Sequence, residues 1–170
     1  MSISMYDASI PVLLRGLGVL STYLDKAEAH ASENAVDPQN LINARLVADM
    51  LPFSGQIQRA SDTSKGGAAR LAGLEAPAFP DTETSFTELR DRVAKTVAFL
   101  KTVKPQQLDD SASRLIDLKA LGIPNPVRGD AYLLSFVLPN FFFHVTTAHD
   151  ILRHAGVKIG KRDYLGPLNA

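Results

Sequence analysis

An all-α four-helix bundle is the fold this sequence predicts, on three observations. Four separate stretches carry apolar residues at three- and four-residue spacing, the period of a helix with one buried face. Capping and breaking residues fall at the ends of those stretches. The remaining segment, Lys104 to Gly129, is rich in turn residues and leaves room for one long crossover and at most one small hairpin. A chain of 170 residues predicts one domain over 1–170, large enough to fold on its own core.

The first stretch opens near Ser9, a candidate N-cap, with Pro11 in the first turn, where a proline is tolerated. Ile10, Leu13, Leu17, Leu20, Leu24, Ala27 and Ala31 then form a narrow, regular stripe. Asp37 and Pro38 open the second helix as N-cap and first helical residue. Leu41, Ala44, Ala48 and Leu51 lead its stripe, Pro52 and Gly55 interrupt it, and Phe53, Ile57, Ala60 and Ser64 continue on a shifted phase. Pro52 cannot donate to the Ala48 carbonyl and its ring crowds that carbonyl, which predicts a kink. Gly66 and Gly67 weaken the helix, which runs to Leu71 with Gly73 as its stop.

In the third helix Ser85 and Glu88 form a capping box, and Phe86, Leu89, Val93, Val97, Leu100 and Val103 carry the stripe as far as Pro105. Within the crossover, Leu115, Ile116 and Leu118 predict a short strand, and Gly122, Pro124, Asn125, Pro126 and Gly129 mark turns. Asp130 caps a fourth helix to about Ala155, kinked at Pro139 and stopped by Gly156. Its apolar residues, from Tyr132 through Phe143, lie nearly all round it. That predicts burial on every side, as the central helix or as half of a dimer interface. The tail from Val157 is expected to lie over the surface.

Composition closes several routes. The chain has no Cys, which excludes disulfides, thiolate zinc sites, iron–sulfur clusters and a cysteine nucleophile. Eighteen Lys+Arg balance 18 Asp+Glu, leaving no electrostatic footprint for nucleic acid. Neither a phosphate-binding glycine loop nor a G-x-S-x-G elbow is present. The longest apolar run, Ala131 to Phe143, is broken by Ser135, Pro139 and Asn140 and falls short of the ~20 residues of a membrane span. Met1 to Met5 has neither the basic start nor the apolar stretch of a signal peptide. A cytoplasmic protein with no nucleic-acid or membrane partner is expected.

Histidines are the natural place for chemistry. His144 and His149 differ by five positions and point about 140° apart, while His144 and His154 stand about 15 Å apart along the axis. Neither pair can share an ion. His144 lies among Val137, Asn140, Phe141, Ala148 and Ile151, on a face predicted to be buried. It is either a ligand or general base, or a core histidine bonded to a carbonyl freed by Pro139. Asp49 and Gln56, seven apart on one helical face beside the kink, either face the cavity of His144 or serve freed amides and solvent. His30 near a helix end and Tyr132 complete the pocket candidates: His144, Asn140, Asp49, Gln56, His30 and Tyr132. His149 and His154 are expected to face solvent or the helix dipole.

The segments Ser4-Met5-Tyr6-Asp7-Ala8-Ser9, Asn43-Ala44-Arg45-Leu46, Asp81-Thr82-Glu83-Thr84, Pro139 through Ala148 and Gly160-Lys161-Arg162-Asp163 together resemble a bacterial domain-of-unknown-function family. That family is grouped with the DinB/YfiT-like bundles, and the resemblance covers almost the whole chain. It implies four helices with a long crossover loop, and often a homodimer. Active members of the superfamily hold a divalent metal through three histidines, one on the second helix and an H-x3-H pair on the last. Some transfer small thiols such as bacillithiol or mycothiol, and others are hydrolases. His144 matches the first histidine of the last-helix pair, the second falls at Ala148, and the second-helix position falls near Asp49 or Met50. If nickel, zinc or manganese binds here, the ligands the resemblance leaves are His144 and Asp49. Two functions stay open. One is a dimeric small-ligand-binding or structural bundle with a degenerate metal site around His144. The other is a metal-dependent thiol S-transferase or hydrolase with a remodelled site.

Overall fold

Ser4, rather than Ser9, caps the first helix: its side chain accepts from the Asp7 amide at 3.0 Å, and α1 runs Met5–Glu33. In the computed structural model, which describes residues 3–166, Ser9 is buried within α1 and donates its hydroxyl to the Met5 carbonyl. Pro11 thus sits inside the helix on its exposed side, and the exposed Asp7 can turn its unmatched carbonyl to water. The apolar stripe is where the spacing put it. Ile10, Leu13, Leu17, Leu20 and Leu24 are wholly buried, each stabilising the fold by roughly 1.5–3 kcal/mol.

The second stretch is two helices and not one kinked helix. Asp37 and Pro38 open α2, but α2 ends at Ile42, and α3 spans Phe53–Ala72. Pro52 is the reason. Inside a helix it would cost about 3 kcal/mol, and it drives the preceding Leu51 out of helical geometry. At the start of α3 its missing N–H is not needed. The segment 43–52 is tied down by the Phe53 amide on the Ala44 carbonyl (2.9 Å) and by Arg45 on the Met50 carbonyl. Gly73, at φ +69°, ends α3 as predicted.

Gly67 stays within α3 and leaves room for a close neighbour: a Cβ there would stand 2.6 Å from Val137 Cγ1. Gly67→Val is expected to lower stability by about 1–3 kcal/mol in chemical denaturation, because the last helix cannot give way without leaving its own core. An unchanged midpoint would show that the Gly67–Val137 contact is looser than described.

In α4 (Phe86–Thr102), Ser85 accepts from the Glu88 amide at 3.2 Å. The Glu88 carboxylate accepts from the amide of Thr84 at 2.7 Å, one residue before the position a capping box uses. The crossover carries a two-residue hairpin, β1 (Leu115–Ile116) antiparallel to β2 (Val127–Arg128), with Leu115 opposite Arg128.

The last helical stretch comprises α5 (Gly129–Tyr132), a widened π turn at Leu133–Val137 and α6 (Leu138–His154). Arg128, not Asp130, precedes its first turn, and Asp130 pairs with Arg128 at 2.8 Å. Pro139 falls in the first turn of α6, directly after the π turn. In the π turn the Leu138 amide reaches back to the Leu133 carbonyl, one residue further than in an α-helix. This stretch of 26 residues is long and apolar enough to cross a membrane, yet here it is one wall of the bundle, packed against α1 and α3. It is not buried all round: Leu134 is 61% exposed and Phe143 56%. After it, Val157 and Ile159 return to the core before α7 (Lys161–Leu165) lies on the surface. The four long helices form a ring in which α1 adjoins α4, α4 adjoins α3, α3 adjoins α6 and α6 adjoins α1.

Candidate functional site

Helices α3 and α6 run antiparallel, and that pairing assembles the site. Ascending α3, Gln56 meets His144, Thr63 meets Asn140, and Gly67 meets Val137, while Arg70 reaches Tyr132. Gln56 is buried at 2% exposure, its amide nitrogen donating to the Leu51 carbonyl at 3.0 Å and its Oε1 lying 2.8 Å from His144 Nδ1. The imidazole is half-buried, with the exposed Phe143 ring edge-on at 5.3 Å. It is therefore held by a side-chain amide, not by a carbonyl freed at Pro139.

Of the other sequence candidates, Asn140 joins this face, donating to Thr63 Oγ1 at 3.0 Å. Asp49 does not. The break between α2 and α3 places it on the connecting segment, exposed, so its helical alignment with Gln56 is lost. Tyr132 lies at the opposite end of α3, where its hydroxyl accepts from Arg70 at 3.3 Å and its ring stacks on Phe136. His30 is at the end of α1 with Asn34, remote from His144 in its contacts. His149 corrects another expectation: rather than facing solvent, its Nδ1 lies 2.8 Å from the hydroxyl of Tyr23, a wholly buried side chain. Burial first, and then the charge of Asp163, push the Tyr23 phenol's pKa upward, so it remains protonated and can donate.

Burial and, secondarily, the positive charge of Arg59 pull the His144 pKa from 6.5 down to about 4. The ring is neutral at pH 7. Since the unfolded chain takes up the proton near pH 6.5 and the folded one only near 4, stability is full above about 6.5 and falls as pH drops toward 4. The expected loss is on the order of 1–2 kcal/mol, discounted because solvent screens a half-buried ring. Denaturation midpoints of wild type and His144→Ala, measured between these values, should converge toward the acid end. Parallel pH profiles would contradict this.

The residues present do not fit the three-histidine centre that the resemblance implies. The side chain from the second long helix that reaches His144 is Gln56, and its Oε1 stands 2.8 Å from Nδ1. Two ligands of one tetrahedral zinc stand about 3.3 Å apart, given bonds of about 2.0–2.1 Å. These two atoms are bonded to each other and do not flank an ion. Position 148, one turn on, is a wholly buried alanine. Among the described residues no three His, Asp or Glu side chains gather closely enough to hold a metal. Titration with zinc, nickel or manganese is expected to give no stoichiometric site. One equivalent bound, and lost in His144→Ala, would overturn that expectation.

A second polar constellation escaped the sequence reading. Arg92, 2% exposed, forks onto Glu83 (2.8 Å), Asp62 (2.8 Å), Asp81 (2.9 Å) and the Pro80 carbonyl (3.1 Å), tying the α3–α4 connection to both helices. Burial opposes ionisation of Glu83, but hydrogen bonds from Arg92 and Gln58 outweigh it and hold that carboxyl below its ordinary range. The signal was a charge within an apolar stripe: Arg92 lies between Leu89 and Val93 on the inward face of α4.

Comparisons with known proteins agree with this architecture. The crystal structure of a DinB family member protein from Shewanella denitrificans superimposes with a TM-score of 0.92 at 37% identity, covering 98% of this chain and 94% of that one. The fold is accordingly a DinB-like all-α bundle. No curated protein matches the chain. The family model described as Domain of unknown function (DUF1993) matches residues 5–165, and the chain belongs to that family.

Proposed function

We propose that this protein is a homodimeric, cytoplasmic binding protein for a small organic ligand, which docks at His144 without a metal. The observation that carries this reading is the Gln56–His144 hydrogen bond at 2.8 Å, which fixes a neutral imidazole beside the exposed Phe143 while satisfying only one ring nitrogen. Among the described residues Nε2 makes no hydrogen bond, so it is free to meet a ligand. An enzyme using His144 as general base is less well supported. Such a base works best with a pKa near the working pH, and burial takes this ring to about 4. The dimer is supported by Leu134, a large apolar side chain left exposed on the last helical stretch.

The test is a fragment set screened by NMR against wild type and His144→Ala, with sedimentation velocity alongside. Saturable shifts centred on His144 and lost in the variant are expected, as is a dimer that Leu134→Glu dissociates. Fragments that bind equally to both proteins would refute the site, and a monomeric wild type would refute the dimer.

A further inference from the structure

The chemical face that His144 turns outward is set, one bond at a time, from the loop ahead of α3. The Leu51 carbonyl can only accept, so the Gln56 amide nitrogen must point toward it, at 3.0 Å. That turns Gln56 Oε1, an acceptor, onto His144 Nδ1 at 2.8 Å, and Nδ1 must then carry a proton. A neutral imidazole has one ring proton, so Nε2 keeps a bare lone pair. Gln56 has little freedom to reverse. Its side chain is buried, and a flipped amide would set two carbonyl oxygens against each other, losing about 1–3 kcal/mol.

From this relay we infer that Gln56 is a positioning residue that makes His144 Nε2 an obligate hydrogen-bond acceptor, so that the site selects neutral ligands carrying a hydroxyl group. The inference rests on the ligand-binding reading above and narrows it to a chemical class. Carboxylates and phosphodiesters have no proton to give Nε2 at neutral pH. Ammonium donors meet the positive charge of Arg59, which bears on the same ring. Arg59 is itself engaged by Asp62 and Asp81 and so offers little to an anion. The exposed Phe143 ring beside His144 adds an apolar wall, which suits an alcohol or phenol.

The probes are phenol and anisole, which share a ring and differ in the donor, titrated into protein labelled with ¹⁵N at histidine. The wild type is expected to show His144 as the Nδ1–H tautomer. Phenol should shift the Nε2 resonance saturably, about tenfold more tightly than anisole, the worth of one net hydrogen bond. Gln56→Leu should mix the tautomers and erase the preference, whereas Gln56→Glu, which keeps an acceptor toward Nδ1, should restore Nδ1–H. An Nε2–H tautomer in the wild type overturns the inference and leaves the ligand reading standing, as does equal binding of the two probes. If neither probe nor any fragment moves His144, the inference and the ligand reading fall together.

Discussion

Arg92→Met is expected to destabilise the protein by about 3 kcal/mol, among the largest losses for a single substitution that leaves the core volume nearly unchanged. The guanidinium is almost wholly buried and holds Asp62, Asp81 and Glu83 around one fork. Removing it leaves Glu83 with only the Gln58 amide, while Asp62 keeps Arg59 and Lys65 and Asp81 keeps Arg59. The figure sits at the low end of the range for broken buried pairs, because Asp62 and Asp81 are partly exposed and can turn to water. Arg92→Lys should recover only part of the loss, since a single ammonium cannot bond several acceptors in a planar fork. Limited proteolysis should show the consequence locally, as faster cleavage between Gly73 and Ser85. A loss below about 1 kcal/mol would mean that the cluster is merely a solvated surface network.

Gly129→Ala is expected to cost at least about 3 kcal/mol, for a different reason. A Cβ at this position would lie 1.9 Å from the Ser111 carbonyl oxygen, a backbone atom that no rotamer change can move. The same turn is pinned by the Gly129 amide on the Arg114 carbonyl (2.9 Å) and the Asp130 amide on the Ala112 carbonyl (3.1 Å). The added methyl must break these bonds or displace the start of α5. Gly18→Ala is the control: nothing lies within 4 Å of its Cβ, and alanine is the better helix former by about 1 kcal/mol. Chemical denaturation should separate the two in sign, and a mild effect at Gly129 would place the crossover differently against α5.

Much of the bundle was legible because its determinants are local. The stripe of α1, the Ser85 start of α4, the left-handed Gly73 and the Leu115–Ile116 strand are each written in a few neighbouring residues. What local pattern could not decide was the meaning of Pro52. A proline between two apolar phases reads equally as a kink or as the start of a new helix, and the wrong choice carried Asp49 onto the same face as Gln56. The pairing of Gln56 with His144 depends on the antiparallel register of α3 and α6, for which no single segment holds the information. Arg92 was in plain view within the α4 stripe, but its partners come from α3 and the loop before α4. His149 was misplaced for a similar reason: its partner, Tyr23, sits on α1, two long helices away in sequence.

The central claim is that His144 is a neutral, hydrogen-bonded imidazole held by Gln56 and not a metal ligand or a working base. The most direct measurement is an NMR pH titration of its ring in the intact, metal-free protein. The account requires a midpoint displaced to about 4, well below the ordinary 6.5, with Gln56→Glu moving it upward as a carboxylate replaces the amide. A wild-type midpoint at 6.5 or above would contradict it, and would return His144 to the candidates for general-base chemistry.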